Sequence, residues 1–205
     1  MNTRMIHFAF AVGTTLLVGC ARSSKTIVAR DVSPTSRDQR RLTESAQNDN
    51  AKAVELIKSG KLDDAEKLLK KALDEDVMYG PAHNNLGKIY FDHQQYYLAA
   101  WEFQYAQKLM PNQPEPRNNL GLVFEAVGKL SEAVTSYDTA MDLEPDNAEF
   151  IGNAVRARVR RGDRGPAVKD LLQKLIERDT RSDWVEWARQ LLKTTPWNAS
   201  TSPTS

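Results

Sequence analysis

The chain has one cysteine, three histidines and almost no excess charge, and each scarcity excludes something. A lone Cys20 cannot close an internal disulfide. His7, His83 and His93 do not make a metal site. His83 and His93 stand ten residues apart with no cysteine between them, whereas zinc ligands recur at roughly three to five residues on a helix or converge with cysteines. No glycine-rich phosphate loop, nucleophile elbow or histidine–carboxylate–nucleophile set occurs. The chain is therefore expected to be no enzyme and to use no cofactor, no metal and no small-molecule substrate. Against 28 Lys and Arg stand 27 Asp and Glu, so nucleic acid is not an expected partner, because the phosphate backbone demands a basic face. Positive charge gathers only at Arg156, Arg158, Arg160, Arg161 and Arg164. The acidic runs Asp63, Asp64, Glu66 and Asp74, Glu75, Asp76 alternate with lysines and read as solvated helix faces.

Long apolar runs are also missing, except at the start. Arg4 precedes a mostly apolar stretch over residues 5–18 that ends in Leu17, Val18, Gly19 and Cys20. The stretch is broken by His7, Thr14 and Thr15 and falls short of the roughly 20 residues of a spanning helix, so residues 1–19 read as a signal peptide. Leu-Val-Gly-Cys resembles the lipobox of bacterial lipoproteins, which implies lipidation of Cys20. Ala21, in place of an Asp, implies by the same resemblance the periplasmic face of the outer membrane. Loss of Arg4 on cleavage leaves 27 charges of each sign. Residues 20–45 are polar, hold Pro34 and show no apolar period, so they read as a flexible lipidated tether. Residues 195–205 read as a disordered tail of small polar residues.

Between tether and tail the chain repeats itself. Asn84, Asn85, Leu86 and Gly87 recur as Asn118, Asn119, Leu120 and Gly121. The same offset of 34 carries Tyr90 to Phe124, Ala99 to Ala133, Phe103 to Tyr137, Ala106 to Ala140, Leu109 to Leu143 and Pro111 to Pro145. A glycine lets one helix approach another, a small alanine sits where two helices cross, an aromatic fills the remaining space, and a proline ends the pair. The pattern of Leu-Gly, aromatic, Ala, aromatic, Ala and Pro at a period of 34 resembles the tetratricopeptide repeat family. That resemblance implies an all-α fold: a right-handed α-solenoid of about four helix pairs, over 46–79, 80–113, 114–147 and 148–181, closed by a capping helix over 182–194.

The outer repeats depart from the pattern. In 46–79, Leu56, Leu62, Ala65, Leu69 and Ala72 hold their places, but Lys52 replaces a leucine and Val77 the proline. In 148–181, Ile151, Ala154, Ala157, Ala167, Val168 and Leu171 are expected on the buried face, with Arg158 at an aromatic position and Lys174 at a small one. Ser182 or Asp183 can cap the last helix, whose Trp184 and Trp187 are expected to cover the core of the final repeat.

The family resemblance implies a partner-binding groove formed by the first helix of each repeat. Its positions fall on Asn84, Asn85, Lys88, Phe91 and Asp92, then Glu115, Asn118, Asn119, Leu122, Glu125 and Ala126, then Glu149, Asn153, Arg156 and Arg160. Asn85, Asn119 and Asn153 share one repeat position, and they can either grip a peptide backbone or bond neighbouring helices. Lysines that clamp a terminal carboxylate in some relatives are replaced by Asn84, Asn118 and Gly152. Lys88, Arg156 and Arg160 leave part of the groove cationic, which suits an acidic segment. The reading is a lipid-anchored periplasmic adaptor that binds a protein or extended peptide, in pilus, secretion or cell-wall assembly, with the membrane reached through the lipid. The alternative is a self-associating structural subunit of an envelope complex.

Overall fold

Four helix pairs and a ninth helix make up the described part of the chain. The computed structural model describes residues 35–197; the expected signal peptide, Cys20, the expected tether up to residue 34 and residues 198–205 lie outside the described residues. The pairs are α1 (Ser36–Lys58) with α2 (Leu62–Glu75), α3 (Gly80–Asp92) with α4 (Tyr96–Leu109), α5 (Glu115–Ala126) with α6 (Leu130–Leu143), and α7 (Ala148–Arg161) with α8 (Pro166–Arg178). The ninth, α9 (Ser182–Thr194), packs on α8. No strand occurs among the described residues, and none of their helices is long and apolar enough to cross a membrane.

Packing within each pair follows the repeated residues. A Cβ on Gly87 would lie 2.6 Å from the ring of Phe103, and one on Gly121 would lie 2.5 Å from the ring of Tyr137. Each glycine is thus the seat of an aromatic from the second helix of its own pair, and Ala99, Ala133, Ala106 and Ala140 are fully buried around it. In the first pair Ala53 and Leu69 take those two roles, which keeps a degraded repeat packed.

The turn inside each pair needs one left-handed residue. Gly60 and Gly128 supply it with φ of 74° and 79°, but the second pair uses Gln94 at φ 59°. These positions are spaced by the same 34 residues. A side chain in that conformation costs about 1 kcal/mol, so this turn carries strain that its neighbours avoid.

The tether expected over residues 20–45 overlaps the first helix. It does not extend to residue 45, because α1 starts at Ser36. Thr35 Oγ1 accepts from the Asp38 backbone N–H while Asp38 Oδ2 accepts from the Thr35 backbone N–H, each at 3.2 Å. This reciprocal cap starts the helix more than two turns before the repeat. Further along, Thr43 Oγ1 donates to Asp76 Oδ2 at 2.7 Å, tying the helix to the end of α2.

The fourth pair is rotated from its expected register. Ala167 is exposed and Leu171 only half-buried, while Val168, Leu172 and Leu175 form the buried stripe. These stand 35, not 34, residues after Ala133, Tyr137 and Ala140. The extra residue enters at the turn between α7 and α8, where Gly162 adopts φ 100° and Pro166 opens α8. One added residue rotates the following helix by about 100°, enough to turn Ala167 out and bring Leu172 in place of Leu171, while Val168 stays buried as expected.

Neither Ser182 nor Asp183 caps α9. The Asp179 carboxylate instead accepts from the backbone and guanidinium of Arg181 just before it. Trp184 and Trp187 are half-buried against Ile151, Val155 and Leu175, and a Cβ on Gly152 would meet Trp184 at 2.9 Å. The helix covers the end of the fourth pair, as its tryptophans predict.

Candidate functional site

The first helices of the pairs form one continuous surface. Direct contacts join α1 to α3, α3 to α5 and α5 to α7, and no comparable contacts join the second helices to one another. The stack therefore curves with its odd-numbered helices inside, and the groove residues expected from the sequence lie on these helices.

The asparagines along that surface bond to each other. Asn85 Nδ2 donates to Asn50 Oδ1 at 2.9 Å, Asn119 to Asn84 at 2.9 Å, and Asn153 to Asn118 at 2.8 Å. Each rung joins the sixth residue of one repeat to the fifth of the repeat before it. Apart from the half-buried Asn85, every member is buried. Of the two roles open to these residues, bonding neighbouring helices is the one whose contacts are present. Asn50, the first rung, was absent from the expected set, although it precedes Asn84 by 34 residues.

A second polar cluster occupies the far end. Glu125 is only 4% exposed and receives four hydrogen bonds. Arg156 donates Nε and Nη2 to its two oxygens, Arg160 donates Nη1, and Tyr137 donates its hydroxyl, all at 2.8 Å. Burial pushes the carboxyl up, but the bonds from Arg156 and then Arg160 outweigh it, so Glu125 is held below the usual carboxylate range. The same burial, with the charge of Glu125 beside it, pushes the Tyr137 phenol up. The positive charge expected at Arg156 and Arg160 is offset in part, because the one carboxylate of Glu125, 31 residues from Arg156, reaches both guanidiniums. The guanidinium of Arg156 also lies 5.3 Å from the ring centre of Trp184, which Arg181 approaches to 4.7 Å.

Three shallow recesses open on the groove residues. One of about 290 Å³ is lined by Ile57, Lys88, Phe91, Asp92, Phe103, Asn119 and Leu122. It unites five of the expected residues from α3 and α5 and adds Ile57 and Phe103. Ile57 could have been found, since it stands 34 residues before Phe91. Lys88 and Asp92 flank it, exposed and without an ion pair among the described residues. A second, of about 280 Å³, gathers Asn84, Asn85 and Glu115 with Pro81, Met110, Gln113 and Pro116. A third, of about 250 Å³, sets Arg156 beside Asp183, Trp184 and Trp187, three residues the repeat pattern did not point to. Glu149 is exposed and meets Asn118 only at 3.5 Å; the exposed Ala126 lines none of these recesses. His83 is a packing residue: its Nδ1 lies 2.6 Å from Glu102 Oε2 and its Nε2 2.9 Å from the Val77 carbonyl. His93 ends α3 at the surface.

The comparisons agree with this architecture. Two family models, both described as tetratricopeptide repeat, match residues 50–114 and 114–147, so the central part of the chain carries such repeats. Among curated proteins, the uncharacterized protein ycf37 of Pyropia yezoensis is 32% identical over 75 residues. The match spans 37% of this chain and 42% of that protein, under half its length. Among solved structures, the first TPR of Spaghetti (RPAP3) bound to an HSP90 peptide superposes with a TM-score of 0.57 at 23% identity, covering 59% of this chain and 96% of that one. MamA superposes with a TM-score of 0.61 at 20% identity, covering 69% and 85%. At these identities the likeness is one of fold.

Proposed function

We propose that this chain is a lipid-anchored adaptor of the bacterial envelope that holds an extended segment of a partner protein in its concave groove. The observation that carries the reading is the recess between Ile57, Phe91 and Leu122. Half-buried apolar side chains line a recess on the inner surface that reaches down to Phe103 of the second pair's seam, and Lys88 and Asp92, of opposite sign and without an ion pair among the described residues, flank it. A pocket of this kind takes one large apolar side chain, while Lys88 and Asp92 select what lies beside it. The solved RPAP3 domain, which carries an HSP90 peptide, supports an extended occupant. A terminal-carboxylate clamp is not part of the proposal, since Asn84 and Asn118 stand at the lysine position and are engaged with neighbouring helices.

The anchor rests on Leu17, Val18, Gly19 and Cys20 behind an apolar stretch. Acyl chains on Cys20 would hold the groove at the periplasmic face of the outer membrane, close to a pilus, secretion or wall-building assembly. Catalysis has no part in this reading.

The test uses a photoreactive amino acid at position 122 of the full chain in living cells, with position 135 on the outer side of α6 as control. Crosslinks to a discrete protein at 122 but not at 135, lost when Phe91→Ala is added, support the groove. Equal capture at both positions, or capture indifferent to Phe91→Ala, removes it. Labelling with a radioactive fatty acid tests the anchor separately, because Cys20→Ser must abolish it.

A further inference from the structure

The near-zero net charge of the chain hides a separation along its length. Residues 20–45 carry Arg22, Lys25, Arg30, Arg37, Arg40 and Arg41 against Asp31, Asp38 and Glu44, an excess of three positive charges. Residues 46–205 carry 21 basic against 24 acidic residues, the matching deficit. The six cations are spaced too widely to form a run in the sequence, and the first helix brings three of them together.

That helix begins at Ser36, ten residues before its first buried side chain, Ala46. Residues 35–42 are all exposed, so more than two turns project past the stack uncovered. The reciprocal cap of Thr35 and Asp38 keeps this extension helical, and the bond from Thr43 to Asp76 ties it to α2. Arg37, Arg40 and Arg41 follow one another at i, i+3 and i+4 and share one side of it, opposite the side that buries Ala46, Asp49 and Ala53. None of the three forms an ion pair among the described residues; Arg40 donates Nε to the Ser36 carbonyl of its own helix at 3.3 Å. Asp38 is taken up by the cap, and Glu44 is the carboxylate that shares their side, one turn further on. Packing does not call for arginine at any of these positions.

We propose that Arg37, Arg40 and Arg41 form a docking surface for the phosphate headgroups of an anionic lipid bilayer. The proposal rests on the anchor at Cys20. Charge and chain length identify the occupant. Fourteen residues separate Cys20 from Thr35, and such a segment spans at most about 50 Å, so an acylated Cys20 keeps the three arginines at high effective concentration beside the bilayer. Guanidinium forks match phosphate oxygens, and Arg22, Lys25 and Arg30 in the intervening segment add to the same attraction. The acidic excess of the remaining chain is repelled by the same surface. In the series of helix contacts α1 and α9 are at opposite ends, so docking through α1 stands the stack off the bilayer and leaves the inner face of α3, α5 and α7 open to a partner. A soluble acidic protein has no comparable tie to this end of the chain.

The experiment mixes the purified full-length chain with vesicles of phosphatidylcholine alone or of phosphatidylcholine with phosphatidylglycerol, both bearing a nitroxide-headgroup lipid that quenches on contact. A fluorescent amino acid stands at position 36 or, as control, at the exposed position 190 of α9. Quenching at 36 should be about fivefold or more stronger with phosphatidylglycerol and should fall away in high salt, while 190 stays bright in both. Replacing Arg37→Gln, Arg40→Gln and Arg41→Gln together should abolish the difference and keep the melting curve, since all three side chains are exposed; replacing the three with lysine should largely retain it. Equal quenching at 36 in both vesicles, its persistence in the glutamine variant, or equal quenching at 36 and 190 overturns the proposal. Flotation of the same samples reports the anchor. A chain that floats with both vesicles but is quenched equally in them keeps the anchor and loses this surface. One that floats with the anionic vesicles alone and is released by salt keeps the surface and loses the anchor, and one that floats with neither loses both.

Discussion

Asn119 donates its side-chain amide to the carbonyl oxygen of Asn84 across 2.9 Å, with both residues buried between the first helices of two successive repeats. The bond makes Asn119 part of what sets one repeat against the next. Asn119→Ala should therefore destabilise the domain by about 1–3 kcal/mol, because the Asn84 oxygen loses its partner inside the protein. Urea unfolding measures the change; a loss below a few tenths would mean water satisfies the ladder as well as its neighbours do.

Glu125 links stability to acid. Its carboxyl is depressed in the folded chain, so its contribution is fully present above the ordinary glutamate value and is lost as pH falls through the lower folded one, a window opening below about pH 4.5. Glu125→Gln should lower stability at neutral pH by about 2–4 kcal/mol, since Arg156 keeps its charge without a counter-ion. It should also flatten the fall in melting temperature between about pH 5 and 3 relative to the parent chain. Parallel acid profiles in the two proteins would show that Arg156 and Arg160 do not depress this carboxyl.

Gly121 gives a steric prediction. A methyl group there meets the Tyr137 ring at 2.5 Å, and the ring is fully buried with its hydroxyl on Glu125. Gly121→Ala should cost about 1–3 kcal/mol by overpacking, despite the better helix propensity of alanine. A thermal melt shifted upward would contradict the packing described.

Gln94 gives the opposite sign. Its left-handed backbone occupies the place of Gly60 and Gly128, so Gln94→Gly should stabilise the chain by about 0.5–1 kcal/mol. Chemical denaturation should show the midpoint rising with an unchanged slope.

The helix pairs were legible from the sequence because their determinants are local and repeated. Gly87 and Phe103, or Gly121 and Tyr137, are complementary within one pair, so a period of 34 reports them directly. The start of α1 was not: the polar composition of residues 20–45 concealed the reciprocal cap of Thr35 and Asp38. The α8 register was not: a single inserted residue hardly disturbs composition, yet it turns the helix by about 100°.

The sequence by itself determined that helix pairs repeat, which faces the central pairs bury and where the stack closes. Only the tertiary structure decided what the polar residues on the inner face do. Asn119 finds Asn84 at 35 residues' distance, Arg156 finds Glu125 at 31, and Ile57 joins Phe91 and Leu122 in one recess across three helices. Those partnerships depend on the rotation and spacing between repeats, which the summed packing of many buried side chains sets. The same residue types at the same period could otherwise have faced solvent.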